Sequence, residues 1–245
     1  MKYRTKNIVP SLFTMLNLFF GFFAIVHAIQ DKLVTASWLI LIAAIWDSVD
    51  GKIARFTESY SDFGIEFDSL ADVVSFGVAP SMLIYQVFLY QLGPFGIILS
   101  FLPLLFGAIR LARFNVNQDG FEKENFSGLP IPAMAATIST YVIFNYDLWE
   151  GLKFAPALIP LVLLLCFLMV SNVEYVSMPK FSFKEDKKNS FLLMSLLAGL
   201  TLIIVFRQKA LFPLLMLFVL YYLLKSVFPG HKEEEEDVLD IRISD

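Results

Sequence analysis

The 245-residue chain is poor in the residues that build most soluble active sites. It has one cysteine, Cys166, set in an apolar stretch, so no intrachain disulfide is possible. It has two histidines, His27 and His231, far apart in sequence, which offers neither a Ser-His-Asp arrangement nor the Cys/His set that zinc prefers. Charged residues make up only 17% of the chain, against about 25% in soluble domains. No basic cluster suggests nucleic acid as a partner. The net charge of −4 is concentrated at one end: His231 to Asp245 carries −5 and the remaining body +1. That acidic tail, 231–245, reads as solvated and disordered.

What is abundant is apolar. Hydrophobic residues reach 57%, phenylalanine alone occurs 26 times, and the mean hydropathy is +0.67. Runs of about 20 apolar residues match a bilayer core of about 30 Å. Eight candidate spans follow: Ser11–Ile29, Val34–Ala54, Gly64–Tyr90, Phe95–Phe114, Ile131–Trp149, Phe154–Tyr175, Phe191–Phe206 and Ala210–Phe228. Helices are expected, since backbone polar groups in lipid must pair within the segment and the alternation of a membrane barrel is absent. The basic start followed by Ser11–Ile29 resembles a signal peptide. Its length, the lack of a small-residue cleavage pattern and the spans beyond it argue for a first membrane helix. With the N-terminus inside, inner segments hold 15 Lys and Arg and outer segments 4. Both termini are therefore expected in the cytoplasm of a cell-membrane protein.

Charge inside such a chain demands a reason. Asp47, Asp50, Gly51 and Ala54 are spaced i, i+3, i+4, i+7 and fall on one helical stripe, followed by Arg55. After eight residues come Gly64, Asp68 and Asp72 at i, i+4, i+8. Two antiparallel helices with a short connection set these four carboxylates opposite one another. Four carboxylates near lipid repel, and a divalent cation relieves the cost. Oxygen ligands suit Mg²⁺, Mn²⁺ or Ca²⁺. Two such ions about 3.5–4 Å apart would clamp a pyrophosphate.

The pattern Asp47-x-x-Asp50-Gly51-x-x-Ala54-Arg55, eight residues, Gly64-x-x-x-Asp68-x-x-x-Asp72 resembles the full signature of the CDP-alcohol phosphotransferases, with eight fixed positions in 26 residues all filled. The resemblance implies an all-α, polytopic bundle with a six-helix core, about 8–180, usually dimeric, its polar pocket open to the cytoplasm. The last two helices, about 190–228, would be additions, completing a membrane domain over 1–230. It implies two metal ions, Mg²⁺ or Mn²⁺, held by Asp47, Asp50, Asp68 and Asp72. Asp50, Gly51, Ala54, Arg55 and Gly64 would border the cytidine diphosphate, and Asp72 would be the general base.

Shorter motifs narrow the resemblance. Pro10 to Asn17 with Gly21, Arg110-Leu111-Ala112-Arg113-Phe114-Asn115, and Phe126 to Ala133 look like the phosphatidylserine synthases of bacteria and archaea. That implies CDP-diacylglycerol and L-serine as substrates. Thr14 and Asn17 are candidate nucleotide contacts. Arg110, Arg113 and Asn115 are candidates for a carboxylate or phosphate of the acceptor. Glycerol 3-phosphate is the alternative acceptor, and a cation-coupled transporter the more distant alternative.

Overall fold

A computed structural model describes residues 12–57, 62–118, 128–173, 175, 201–202 and 205–227, with backbone alone at 53–57, 62 and 117–118. No strand occurs among the described residues. The chain order is α1 (Leu12–Ile29), α2 (Leu33–Thr57), α3 (Asp62–Asp72), a π-helical segment (Val73–Val78), α4 (Ala79–Val87), a 3₁₀ turn (Leu89–Leu92) and α5 (Pro94–Gln118). Then follow α6 (Ile131–Trp149), α7 (Leu158–Val170) and α8 (Leu211–Val227), the last two preceded by short 3₁₀ turns.

Five stretches are long and apolar enough to cross a bilayer: Leu12–Ile29, Leu33–Lys52, Phe63–Val87, Pro94–Val116 and Arg207–Val227. Their outward faces carry Phe22, Ile45, Leu70, Ile97 and Leu217, all about 60% exposed. Water would penalise so broad an apolar surface, whereas acyl chains match it. The molecule is an integral membrane protein.

At the bundle centre lies α6. It coincides with the expected span Ile131–Trp149, yet it buries polar side chains at Thr137, Ser139, Thr140 and Asn145. Thr137 and Thr140 donate to the carbonyls of Ala133 and Ala136, both at 2.8 Å, and Asn145 Nδ2 donates to Tyr141 O at 2.9 Å. Those three donors are thus satisfied within the helix, while Ser139 Oγ and Asn145 Oδ1 are buried with no hydrogen-bond partner. The start of α6 is strapped to the end of α7: Gly128 N–H donates to Val173 O and Leu129 N–H to Leu168 O, both at 2.9 Å. Gly128 sits at φ +93°, and a side chain there would run into the Met169 carbonyl, so the strap requires glycine.

Helix α8 docks at two levels. Near its start, Gln208 donates to Asp147 Oδ1, Lys209 Nζ lies 3.7 Å from Asp147 Oδ2, and Phe212 packs on Tyr141 and Phe144. Near its end, Phe218 and Tyr222 stack on Tyr175.

Two expectations need correction. The expected span Phe154–Tyr175 contains only a 13-residue α-helix, because Pro156 opens a 3₁₀ turn and Ser171 leaves helical geometry. The expected span Ile131–Trp149 forms α6 but, with its buried polar residues, is not among the five stretches apolar enough to cross a bilayer, whereas the expected span Gly64–Tyr90 stands as Phe63–Val87 with α, π and α segments in succession. Most of the expected span Phe191–Phe206 and all of the acidic tail lie outside the described residues.

Candidate metal and phosphate site

Alternating helix directions bring the first half of α1, the last turns of α2, all of α3 and the last turns of α5 to one end of the bundle. Helix α1 packs along α2 and against α3, and α5 against the π segment. The polar residues singled out in the sequence are gathered at this end.

Asp47 on α2 and Asp68 and Asp72 on α3 each offer a carboxylate oxygen, and the three oxygens lie within 4.8 Å of one another. Asp72 is buried at 8% exposure. Asp68 Oδ1 is buried with no hydrogen-bond partner. An acceptor-only oxygen left bare beside two further carboxylates is costly unless a cation completes it. The donor set is hard oxygen throughout, with no thiol or imidazole among the three, so these residues fit Mg²⁺ or Mn²⁺.

Asp50, also buried, stands one turn further along α2, outside that trio. Its charge still acts on Asp47 and Asp68. Its Oδ2 accepts a hydrogen bond from Thr14 Oγ1. Asn17 Nδ2 donates to Asp72 Oδ1 at 3.0 Å. The i, i+3 pair on α1 thus matches one aspartate on each of the two carboxylate helices. Thr14 and Asn17 were expected to touch a nucleotide. They are buried at 3% and 0% exposure, and each gives its side chain to an aspartate.

The three candidates on α5 separate. Arg110 is partly buried, its charge acts on Asp72, and its Nε has no partner. Arg113 is exposed. Asn115 is taken up by Ser69, giving Nδ2 to its hydroxyl at 3.1 Å and receiving from it at Oδ1 at 3.3 Å, which ties the end of α5 to α3 beside Asp68. Gly51 is exposed at the mouth of the site and Gly64 is half-buried near the start of α3. The side chains of Ala54 and Arg55 lie outside the described residues. Sequence reasoning missed Ser69 and Ser75. Both sit within three residues of a cluster aspartate, which is the one signal that marks them.

The fold and the site together define a helical membrane protein with a carboxylate centre suited to divalent metal at one end of its bundle. Residues 7–178 match the model of CDP-alcohol phosphatidyltransferases, and the chain belongs to that family. It is 39% identical over 223 residues to the CDP-diacylglycerol–serine O-phosphatidyltransferase of Helicobacter pylori strain J99, covering 90% of this chain and 92% of that protein. It is 40% identical over 172 residues to the archaetidylserine synthase of Methanothermobacter thermautotrophicus, covering 68% and 69%. Against the Bacillus subtilis CDP-diacylglycerol–serine O-phosphatidyltransferase the identity is 35% over 170 residues, covering 69% and 90%. The 223-residue match necessarily runs past residue 178, so the similarity to the Helicobacter relative extends beyond the family core.

Proposed function

We propose that this enzyme transfers the phosphatidyl group of CDP-diacylglycerol to the hydroxyl of L-serine, giving phosphatidylserine and CMP. The observation that carries the reading is the convergence of Asp47, Asp68 and Asp72 from two helices onto one small volume, in a chain of this family. The similarity to CDP-diacylglycerol–serine O-phosphatidyltransferases supports serine as the acceptor.

In this reading Asp47, Asp50, Asp68 and Asp72 hold two divalent ions, Mg²⁺ or Mn²⁺. When bound, the metal neutralises the pyrophosphate and the charge that develops on the leaving phosphate. Asp50, Gly51, Ala54, Arg55 and Gly64 border the cytidine diphosphate, while the acyl chains of the donor stay in the bilayer. Asp72, oriented by Asn17, accepts the proton of the serine hydroxyl. The serine oxygen then bonds to the phosphorus that carries diacylglycerol. The bond from that phosphorus to the bridging oxygen breaks, and CMP leaves with that oxygen and the electron pair. Arg110, whose Nε has no protein partner, is the candidate for the serine carboxylate, with Arg113 at the rim. The transfer is direct, because no cysteine, Ser-His pair or activated lysine is in the cluster to form a covalent intermediate. The working form is a homodimer, with the site on the cytoplasmic side of the cell membrane.

The test is to incubate purified protein with CDP-diacylglycerol, Mg²⁺ or Mn²⁺, and separately serine, glycerol 3-phosphate, glycerol or inositol, and to identify the lipid formed. Phosphatidylserine with stoichiometric CMP is expected. Phosphatidylglycerophosphate in its place would overturn the acceptor. No CMP with any alcohol would overturn the enzyme reading and favour a transporter.

A further inference from the structure

Immediately after Asp72 the helix changes register. In Val73–Val78 the hydrogen-bonding widens to the π pattern, and the Ala79 N–H reaches back five residues to Val74 O. One extra residue in a turn re-aims the side chains on either side of it, and such bulges collect at functional positions. Here the bulge is gripped. Ser75, fully buried inside it, donates its hydroxyl to the backbone carbonyl of Asn17 at 2.9 Å. The α-helical pattern already pairs that carbonyl with the N–H of residue 21, so Ser75 takes the second lone pair. Residue 21 is glycine, one turn beyond Asn17 on the same face. A Cβ there would lie 2.6 Å from Ser75 Cα, so only glycine lets the two backbones come this close. The same Asn17 gives its side-chain amide to Asp72.

We propose that Ser75, seated on Gly21, is a positioning residue that fixes the aim of Asp72 by locking the π segment to the backbone of Asn17. Ser75 is wholly buried and reaches no substrate. It acts through a closed circuit: Asp72 to the Asn17 amide, the Asn17 carbonyl to the Ser75 hydroxyl, and back along one turn of chain to Asp72. Breaking the Ser75 link frees the bulge to relax toward α-helical register and swings the Asp72 carboxylate. Outer-shell losses of this kind cost about 10- to 100-fold in metal affinity or activity, and an ångström of misplacement costs on the order of 100-fold in rate. The inference rests on the role given to Asp72 above.

The experiment compares Ser75→Ala, Asn17→Ala and the double variant with wild type, purified in detergent. Readouts are kcat and KM for both substrates, the thermal midpoint, and Mn²⁺ binding followed by electron paramagnetic resonance of the free ion. Ser75→Ala is expected to lower kcat by about 10-fold or more and weaken Mn²⁺ binding by about 10-fold. Both KM values should stay within about twofold and the thermal midpoint within a few degrees, as suits a change in aim alone. In the Asn17→Ala background the Ser75 change should add little, because the path to Asp72 is already cut. Gly21→Ala should lower kcat and Mn²⁺ affinity as Ser75→Ala does, by prising the same contact apart, and should also lower the thermal midpoint because its Cβ would meet the Ser75 backbone. Wild-type kcat and Mn²⁺ affinity in Ser75→Ala would overturn the proposal, as would full additivity in the double variant or a Ser75→Ala loss matched by a collapsed thermal midpoint. A wild-type protein that releases no CMP would overturn the proposed function instead, and the Mn²⁺ arm would still decide whether Ser75 orients the cluster.

Discussion

Removing one aspartate should make the metal-free protein more heat-resistant. Three carboxylate oxygens within 4.8 Å of one another form three repelling pairs. At an effective dielectric of about 20, each pair costs about 3.5 kcal/mol at that separation when both members are charged. Asp68 takes part in two of them, so Asp68→Asn relieves up to about 7 kcal/mol of repulsion in metal-free protein. Proton uptake by the crowded carboxylates, relaxation and the Arg110 charge already offset part of this. If a third survives, about 2 kcal/mol remains, or roughly 4–8 °C in the midpoint for a chain of this size. A divalent ion at 100 times its dissociation constant stabilises wild type by about 2.7 kcal/mol. The assay is thermal unfolding in detergent, with EDTA and across a Mn²⁺ titration. Asp68→Asn should melt several degrees above wild type in EDTA and gain little from Mn²⁺, so that the two curves cross as metal is added. An Asp68→Asn protein that melts at or below wild type in EDTA, yet gains as much from Mn²⁺, would refute both the charge crowding and its relief by metal.

Asp72→Asn should insert and fold normally but lose CMP release by 10²-fold or more, since it deletes the proton acceptor; activity within tenfold of wild type would remove Asp72 from that role. Arg110→Ala should raise the serine KM by 10-fold or more with little change for CDP-diacylglycerol, whereas the exposed Arg113→Ala should shift it by less than about threefold; equal effects would contradict the inward and outward separation of the two. Asp147→Ala removes the acceptor for Gln208 and the partner of Lys209, so proteolysis of the Arg207–Ala210 turn should quicken while kcat stays within about twofold. An unchanged cleavage rate would mean that the aromatic contacts alone hold α8.

Hydropathy revealed the apolar helices to within a few residues, as with Leu12–Ile29, because lipid imposes one length and one backbone solution on any span. The carboxylate centre was legible for the same reason: charge is so scarce in these segments that Asp47, Asp68 and Asp72 stood out, and helical spacing alone aligned them. The π segment was not legible. Val73–Val78 is as apolar as its neighbours, and hydropathy is blind to which carbonyl an N–H chooses. The bonds from Thr14 and Asn17 were hidden too. A small polar residue near a carboxylate site reads equally as ligand contact or support, and only the packing of α1 against α2 and α3 shows which aspartate each one meets. The short α7 was overestimated because apolar residues, Phe154 and Ala155 on one side and Val173 and Tyr175 on the other, continue past the points where Pro156 and Ser171 alter the backbone.

The internal hydroxyls and amide of α6 bear on how the protein is made. A segment holding Thr137, Ser139, Thr140, Asn145 and Asp147 partitions weakly into lipid when presented alone. Its stability comes from neighbours synthesised both before it, α2 and α4, and after it, α7 and α8. During biogenesis it must therefore wait at the insertion machinery, or beside earlier helices, until the later ones emerge. Nascent chains halted shortly after Trp149 should leave this segment incompletely integrated, and chains extended through α8 should carry it fully across.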